Sequence, residues 1–463
     1  MKGAMREINA GLNKDPDDQA LVMLAACIMG REQCHGMAYN LMKRVAAESP
    51  PNPAIFNNLG MAASSLASMT GKDKYLDEAE MVLRKAHRKD PIPEVCSNLA
   101  LVMLHKVQLA EAEKYALECI EKDPDNVSGR ETLGYVYLHQ GKWVEGFGNY
   151  EIGTLGGKYR KLPQGRYWER GIRGKRIVAR GEQGIGDEIS YASVLPDAAE
   201  DNAIIYECDK RLEGLMRRSL PRVEVRGVRF DENRPDYGDV DAVALTGSFC
   251  MQYRRDNRDF PRTGYLKPDP ERQMQWRALL NSFRGKKIGI AWTGGLDNTF
   301  KHRRSFNLES LLPILRLPGV TWVSLQYNDP QEEIRAFSRK YGIEIKHWSR
   351  AVEKGVNYDE TAALVSELDC VVSVTTAMVH LCGALGKKCH VLVPKRARWF
   401  YSSPDSKHRW YDSLELYRQD AGWPIEKLAD ALRDEYDLRH ETTFTVYAGG
   451  QEIEPEPASV QIG

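Results

Sequence analysis

The pattern of apolar and polar positions divides the chain near residue 155. Before that point, apolar residues recur every three or four positions in paired segments, which is the spacing of amphipathic helices. Beyond it, short apolar runs alternate with helical patterns. The first part is therefore predicted to be all-α, and the rest to be α/β with parallel sheets.

The helical part repeats along the chain. Pro91 and Pro124 are 33 positions apart, and an earlier copy carries extra residues around "TGKDKY". Small residues occur where two helices of a pair must approach closely: Gly60 with Ala79, Ala100 with Ala112, and Gly134 with Gly146. A period of about 34 residues in a helix–turn–helix pattern is typical of the tetratricopeptide repeat, which stacks into a solenoid with a concave binding surface. A plain helical bundle is the alternative.

The remaining apolar runs form two series that divide near residues 268–285. The first series is "RIVAR", "NAIIYEC", "RVEVRGV" and "DAVALTG". The second is "KKIGIAWTG", "VTWVSLQY", "IEIKHW", "DCVVSVTT", "KCHVLV" and "SLELYR". Each series opens with a strand and a glycine turn, and ligands of parallel sheets bind beyond the carboxyl ends of the strands. Two facing domains therefore predict a site in the cleft between them.

These patterns predict four segments. They are a helical repeat over residues 1–155, a first α/β domain over 156–270, a second over 271–438, and an acidic, proline-containing tail over 439–463. A basic, glycine-rich stretch after Tyr150 links the repeat to the first strand.

Composition restricts the function classes. Lys+Arg and Asp+Glu both number 65, so the net charge is zero, which argues against a wholly basic nucleic-acid coat but leaves room for a local patch. The 9 cysteines form no CxxC pair, which favours a reducing compartment over a zinc site or a disulfide framework. The sequence shows neither a signal-peptide core nor a membrane-spanning run, so a cytoplasmic protein without a membrane span is expected.

The glycine turn "GEQGIGDE" is the first candidate site. Gly184 and Gly186 permit close approach of the backbone, and the N–H groups of the following helix can face an anion or a sugar hydroxyl. Two roles are open to Asp187: a general base that takes a proton from an acceptor hydroxyl, or a cap of the helix. The glycine spacing does not match GxGxxG, so a dinucleotide fingerprint is not supported.

The second candidate site follows the turn that contains Gly294. A run of four basic or potentially cationic residues, Lys301, His302, Arg303 and Arg304, opens after it and is followed by Ser305. Guanidinium groups pair well with phosphate oxygens, so this run suits a diphosphate. A solvated basic loop is the alternative.

The third candidate site is the end of the buried strand "DCVVSV". Thr375 and Thr376 follow it, and the next helix carries His380 on the same face as Thr376. Threonine hydroxyls and helix-start N–H groups suit a phosphate, whereas a lone helical histidine is more often structural. Asp239 and Asp241 form a DxD pattern, but it precedes a strand, so turn residues are favoured and no metal is predicted.

At these residues the chain resembles bacterial-type tetratricopeptide proteins that carry a GT-B glycosyltransferase domain of the heptosyltransferase-like class, glycosyltransferase family 9. The repeat arrangement is also distantly similar to that of protein O-GlcNAc transferases. The segments that carry the resemblance stand in family order over roughly residues 160–435: "GEQGIGDEISYASVLP", "YLKPDPERQMQWRALL", "GIAWTGG", "RRSFNLESLLPIL", "VTWVSLQ", "DETAALVSELDCVVSVTTAMVHLCGALG" and "WYDSLELYRQ".

The resemblance implies inverting, metal-independent transfer of a sugar from a nucleotide-sugar donor, with no further cofactor. Asp187 stands at the place of the family's general base, with Glu182 and Glu188 as the alternatives. The expected donor-binding residues come from all three candidate sites: Gly184, Gly186, Gly294, Arg303, Arg304, Ser305, Gln326, Thr375, Thr376, His380 and the backbone amides of Ala377 and Met378.

One position departs from the family pattern. The family usually has an Asp where this chain has Thr375, and that Asp commonly helps to position the donor or a basic partner. The substitution therefore bears on the identity of the donor and on activity.

Three functions follow from the sequence. The first is a glycosyltransferase whose repeat recruits a protein partner or the acceptor, a protein or a glycan. The second is a non-catalytic binding or scaffold protein with a degenerate transferase domain. The third is a transferase acting on modified DNA, since "KYRKLPQGRYWERGIRGKRIVAR" and "VPKRARWFYSSPDSKHRW" interleave cations with aromatic residues. For these two runs, a linker and contacts to the donor phosphates are favoured over nucleic acid.

Overall fold

The computed structural model describes most of the chain. The described residues are 6–8, 10–11, 13, 18–31, 34–48, 52–155, 166–229, 239–295, 300–353, 355, 357–403, 405–438, 446–448 and 451–453. Part of the predicted linker, residues 156–165, lies outside them, as does most of the tail.

The N-terminal part consists of paired helices. In chain order they are α1 (Gln19–Arg31), α2 (His35–Glu48), α3 (Pro53–Thr70), α4 (Asp73–Lys89), α5 (Pro93–His105), α6 (Leu109–Lys122), α7 (Val127–Gln140) and α8 (Trp143–Leu155). Each odd-numbered helix packs against the next helix, and neighbouring pairs stack on one another. The predicted helical repeat is therefore confirmed.

Small residues bring the paired helices together, as the repeat pattern predicts. A Cβ at Gly60 would lie 2.5 Å from Leu83 Cγ, and one at Gly134 would lie 2.6 Å from the backbone N of Tyr150. The extra residues of the earlier copy lengthen α3, which ends where Gly71 takes a left-handed conformation with φ of 67°. Glycine adopts that conformation without the strain a side chain would add.

The first parallel sheet follows the repeat. Its elements are β1 (Arg176–Arg180), α9 (Ile185–Ala192), α10 (Leu195–Asp201), β2 (Ala203–Asp209), α11 (Glu213–Ser219), β3 (Glu224–Val228), β4 (Ala242–Leu245) and α12 (Cys250–Tyr253). The strand order is β3-β2-β1-β4. A helix, α13 (Pro270–Asn281), leads to the second sheet.

The second parallel sheet has six strands in the order β10-β9-β8-β5-β6-β7. Its elements are β5 (Lys286–Ala291), α14 (Leu312–Leu315), β6 (Val320–Ser324), α15 (Gln331–Tyr341), β7 (Ile345–Lys346), α16 (Ser349–Val352), α17 (Tyr358–Ser366), β8 (Cys370–Val374), α18 (Ala377–Ala384), β9 (Cys389–Val393), β10 (Leu414–Arg418) and α19 (Ile425–Glu435). In the tail, β11 (Val446–Ala448) pairs with β12 (Gln451–Ile453) in antiparallel fashion.

All ten apolar runs form strands, and the two series form two separate parallel sheets. The predicted fold class, a helical repeat followed by two parallel α/β units, is confirmed. The exact domain boundaries, 155/156, 270/271 and 438/439, stay predictions.

The repeat and both sheets share apolar packing. Trp143 and Phe147 of α8 belong to the same buried cluster as Ile177 of the first sheet and Trp399 and Trp410 of the second unit. Helix α9 of the first unit also packs directly on α18 of the second. These contacts fix the carboxyl edges of the two sheets against each other.

Candidate functional site

The candidate site lies where three turns meet, each at the carboxyl end of a parallel strand. Residues 181–184 follow β1, residues 292–295 follow β5, and residues 375–376 follow β8. Strands β5 and β8 are hydrogen-bonded neighbours, so their turns lie at one edge of the second sheet. The contact between α9 and α18 brings the turn of the first sheet to that edge.

Gly186 allows the close contact between these two helices. A Cβ at this position would lie 2.9 Å from His380 Cδ2 and 3.0 Å from the Cα of Ala377. Gly184 caps the start of α9 and is exposed, and a Cβ there would meet only the carboxylate of Asp187, at 3.5 Å. The packing therefore requires glycine at position 186 and not at position 184.

Asp187 lies in the first turn of α9, with 13% of its side chain exposed. Its Oδ2 accepts a hydrogen bond from the backbone N–H of Gly184 at 3.2 Å. Its Oδ1 lies 3.7 Å from Nη1 of Arg398. The carboxylate thus supports the start of the helix, one of the two predicted roles, and still faces a cation of the second unit.

The other two acids of this turn point into the protein interior. The buried carboxylate of Glu182 accepts hydrogen bonds from the Tyr150 hydroxyl and the N–H of Gly247, both at 2.8 Å. Burial raises the pKa of Glu182 to about 8. Glu188 Oε2 accepts from the N–H of Asp209 at 2.9 Å. Both carboxylates are buried, so Asp187 is the acid of this turn that keeps part of its side chain exposed.

Arg304 lies against the second turn. Its Nε donates to the carbonyl oxygen of Gly294 at 3.2 Å, and its guanidinium fills the space beside Gly295, where φ is 89°. The pKa of Arg304 is lowered, first by burial and then by the positive charge of Arg398. Two cations held close together at the edge of a cleft favour binding of an anion.

Arg398 is the residue that the sequence reasoning did not single out. It lies in the loop after β9, half of its side chain is exposed, and it contacts both Asp187 and Gln183. The basic run "VPKRARWF" was visible in the sequence. Which of its cations faces the cleft depends on the course of the loop, which no local pattern encodes.

Arg303 and Ser305 make contacts away from the three turns. Arg303 donates to Asp73 of the repeat at 2.7 Å, and its guanidinium lies 4.0 Å from the ring centre of Phe300. Ser305 Oγ donates to the carbonyl oxygen of Lys301 at 2.8 Å. Of the predicted basic run, Arg304 is therefore the member that lies at the turn of Gly294.

The third turn begins α18. Thr376 Oγ1 accepts from the N–H of Met378 at 3.2 Å and so caps the helix, while Ala377 and Met378 are only half-buried. Thr375, the position that departs from the family pattern, is buried. Gly294 packs against the methyl group of Thr376, where a side chain would collide. The second and third turns are therefore in direct contact.

His380 joins the two units. Its Nδ1 lies 2.7 Å from Ser190 Oγ of α9, and its Nε2 lies 3.3 Å from the hydroxyl of Tyr401. Burial lowers the pKa of His380 to about 4. The imidazole is therefore neutral near pH 7, and both of its nitrogens contact hydroxyl groups of the protein itself.

Gln326 braces the second turn from inside. Its buried Oε1 accepts from the backbone N–H groups of Trp292 at 3.0 Å and of Thr293 at 3.2 Å.

The DxD residues, Asp239 and Asp241, lie at the opposite edge of the first sheet. There Asp239 pairs with Arg176, and Asp241 accepts from the N–H of the same residue at 2.9 Å. Asp239 and Asp241 thus act as turn residues at the start of β4.

The helical repeat borders the candidate site. Burial lowers the pKa of His139, at the end of α7, to about 4, and the charges of Arg398 and Arg409 contribute. Arg409 also lies over the ring of Trp143 at 5.1 Å. The last helix pair therefore reaches the cations of the second unit.

Comparisons with known proteins show what this chain is similar to. No family model matches the chain. It is 27% identical over 453 residues to Protein FlbA of Caulobacter vibrioides, which covers 90% of this chain and 73% of that protein.

Two solved structures are similar to different parts of the chain. A glycosyl transferase family 9 structure from Veillonella parvula has a TM-score of 0.40 and 13% identity, covering 58% of this chain and 94% of that one. TTC0263, a TPR protein of Thermus thermophilus, has a TM-score of 0.30 and 21% identity, covering 32% and 78%. The chain is thus similar to TPR proteins over its N-terminal part and to a family 9 glycosyltransferase in its α/β part.

Among the described residues, no helix combines the length and the apolar character that a membrane span requires.

Proposed function

We propose that the chain is an inverting glycosyltransferase that moves a sugar from a nucleotide-sugar donor to an acceptor hydroxyl. One observation carries the proposal: Asp187 lies 3.7 Å from Arg398, and the charges of both act on Arg304, where the carboxyl edges of the two parallel sheets come together. A base beside a pair of cations in a cleft is what a displacement with an anionic leaving group needs.

The proposed reaction is a direct displacement at the anomeric carbon. Asp187 takes the proton of the acceptor hydroxyl, whose oxygen forms the new bond to that carbon. The bond from the carbon to the diphosphate oxygen breaks, and its electron pair leaves with the nucleoside diphosphate. Arg304, Arg398 and the amide of Ala377 at the start of α18 would stabilise that charge. These fixed cations and dipoles are why the proposal includes no metal.

The proposed donor set is narrower than the sequence suggests. Arg304, Thr376 and the backbone amide of Ala377 remain in direct contact roles, whereas the amide of Met378 is left out because it donates to Thr376 Oγ1. Gln326, His380 and the glycines are proposed to shape and hold the turns. Arg303 is left out because its guanidinium is engaged by Asp73 of the repeat.

The repeat is proposed to recruit the acceptor or a protein partner. Stacked helical repeats present a concave surface, and the last pair borders the cleft through His139. Binding to nucleic acid is less favoured for the run that contains Arg398. Its aromatic residues Trp399, Phe400 and Trp410 are buried, so they are not available to stack on bases.

A non-catalytic binding protein is the second candidate function. Asp187 already has a structural role, since it accepts from Gly184 N–H at the start of α9. A carboxylate whose only role is to cap the helix would make the same contacts in a protein without transferase activity.

One experiment separates the two functions. Donor hydrolysis and thermal shift are measured across UDP-, GDP-, ADP-, CMP- and dTDP-sugars for wild type and for Asp187→Asn. The amide keeps an oxygen for the N–H of Gly184 but cannot accept the proton. We expect one nucleotide to stabilise both proteins and turnover to fall at least ~100-fold in the variant, the scale of general base catalysis.

Two other outcomes would point elsewhere. If a nucleotide binds but wild type and Asp187→Asn hydrolyse the donor equally, Asp187 is a helix cap and not the base. If no nucleotide stabilises wild type, the transferase proposal fails and the scaffold function is favoured.

A further inference from the structure

Helix α8, the last helix of the repeat, is hydrogen-bonded to the turn that carries Asp187. The hydroxyl of Tyr150, a residue of α8 with 1% exposure, donates to Glu182 Oε2 at 2.8 Å. The same hydroxyl accepts a hydrogen bond from Nε2 of Gln183. One hydroxyl of the repeat is thus held between two successive side chains of the turn.

Gln183 is held in an unfavourable backbone conformation. Its φ is 58°, in the left-handed region that glycine adopts freely and that costs other residues energy. Both ends of its side-chain amide are hydrogen-bonded. Nε2 donates to the Tyr150 hydroxyl, and Oε1 accepts from Nη2 of Arg398 at 3.3 Å. Arg398 in turn lies 3.7 Å from Asp187. A continuous series of polar contacts therefore joins Tyr150, Gln183, Arg398 and Asp187.

A second contact runs from the repeat to the same loops. Asp73, the first residue of α4, pairs through Oδ1 with Arg303 at 2.7 Å and with Arg396 at 2.6 Å. Arg304 follows the first of these residues directly, and Arg398 lies two positions after the second. One carboxylate of the repeat thus forms ion pairs with both of the loops that carry the cations of the site.

We infer that Tyr150 and Asp73 of the helical repeat are positioning residues of the candidate transferase site, acting through Gln183 and the loops of Arg304 and Arg398. The inference rests on the proposed function, because it assigns those cations to the donor diphosphate. Its consequence is that the site is complete only with the repeat in place, so a ligand that shifts α4 or α8 changes donor binding.

The hydroxyl of Tyr150 can be separated from the packing of its ring. Tyr150→Phe keeps the buried ring beside Tyr135 and removes the oxygen that holds Glu182 and Gln183. Tyr137→Phe is the matched control: it removes a half-buried hydroxyl from the neighbouring helix, where the ring contacts Lys142.

The test is a double-mutant cycle read out by binding of inorganic pyrophosphate to the full chain, measured by isothermal titration calorimetry. The variants are Tyr150→Phe, Arg398→Ala and the double variant. We expect Tyr150→Phe to weaken binding ~5-fold, the range of one side-chain hydrogen bond, and Tyr137→Phe to leave it unchanged. If Tyr150 acts through Arg398, the double variant binds no more weakly than Arg398→Ala alone.

Additive effects of the two substitutions, or unchanged binding in Tyr150→Phe, would overturn the role of Tyr150 while leaving the donor site intact.

For the second contact, Asp73→Asn is compared with Asp77→Asn, whose carboxylate pairs with Lys106 inside the repeat. We expect ~3-fold weaker binding in Asp73→Asn and no change in Asp77→Asn. Unchanged or tighter binding in Asp73→Asn rejects its role. Failure of wild type to bind pyrophosphate rejects the donor site itself and the inference with it.

Discussion

At the residue scale, Glu182 shows how burial and hydrogen bonding compete. The N–H of Gly247 and the hydroxyl of Tyr150 both favour the charged carboxylate, yet burial is the larger effect and raises the pKa of Glu182 to about 8. The group is therefore mostly protonated in the folded protein at neutral pH, whereas in the unfolded chain it is ionised. Proton binding is thus linked to folding at this residue.

This linkage predicts how stability changes with pH. Between pH ~4.5 and 8, the folded state holds a proton that the unfolded state has lost. The contribution of Glu182 to the free energy of unfolding is therefore fully present below pH ~4.5 and is lost as the pH rises towards 8. Glu182→Gln removes the titration and nearly keeps the shape. Between pH 6.5 and 8, we expect the free energy of unfolding of wild type to fall relative to the variant, by up to ~1.4 kcal/mol per pH unit.

Chemical denaturation at several pH values measures this difference. His139 and His380, whose folded pKa values are about 4, and Glu151, whose pKa burial raises to about 7, are present in both proteins, so their own titrations largely cancel in the difference between wild type and Glu182→Gln. A constant difference between wild type and Glu182→Gln over this range would contradict the prediction.

The residue scale is also where the sequence predicts least. The sequence places Asp187, Glu182 and Glu188 in one turn, but which carboxylate reaches the cleft depends on packing against α8 and β2. Arg303 and Arg304 are adjacent in sequence, yet one pairs with the repeat and the other lies at the turn of Gly294. Contacts from distant parts of the chain decide these roles.

At the scale of elements, the contact between α9 and α18 holds the two sheet edges together, and it depends on a single glycine. Gly186→Ala would place a Cβ 3.0 Å from the Cα of Ala377, which is backbone and cannot rotate away. We expect a loss of ~1–3 kcal/mol in the free energy of unfolding, the cost of overpacking a close contact, together with weaker nucleotide binding.

Gly184→Ala is the matched control for this prediction. The new Cβ has ordinary contact distance to Asp187, and φ of −108° suits an alanine. Denaturant unfolding of the two variants is the measurement. Equal stability of Gly186→Ala and wild type would mean that the helices can separate without cost.

Elements are well predicted by the sequence because their signals are local. Apolar runs bounded by glycine, proline and polar residues predict all ten strands of the two sheets, and the period of small residues predicts the helix pairs. The antiparallel pair β11 and β12 in the tail is not predicted. Its segment "TVYAGGQEI" is short, and the surrounding acidic, proline-containing composition is typical of an extended tail.

At the scale of the whole molecule, aromatic side chains of the repeat pack against those of the α/β units. Trp143 of α8 lies 4.8 Å from the ring centre of Phe260 and 6.2 Å from that of Trp399, and its Nε1 donates to Asn257 at 3.0 Å. The sequence predicts the three parts but not this contact, because the apolar periodicity of α8 does not reveal which surface covers it.

This shared core predicts that the repeat and the α/β units unfold together. We expect a single transition for wild type in differential scanning calorimetry and two for Trp143→Ala, in which the repeat melts separately. The substitution removes a buried indole, a change that costs ~3–5 kcal/mol, and the loss falls on the interface between the parts. Trp423→Ala is the control, since that ring packs on Phe306 within the second unit, 4.7 Å between centres. It lowers the melting temperature but keeps one transition. Two transitions already present in wild type would mean that the aromatic contact does not couple the repeat to the candidate site.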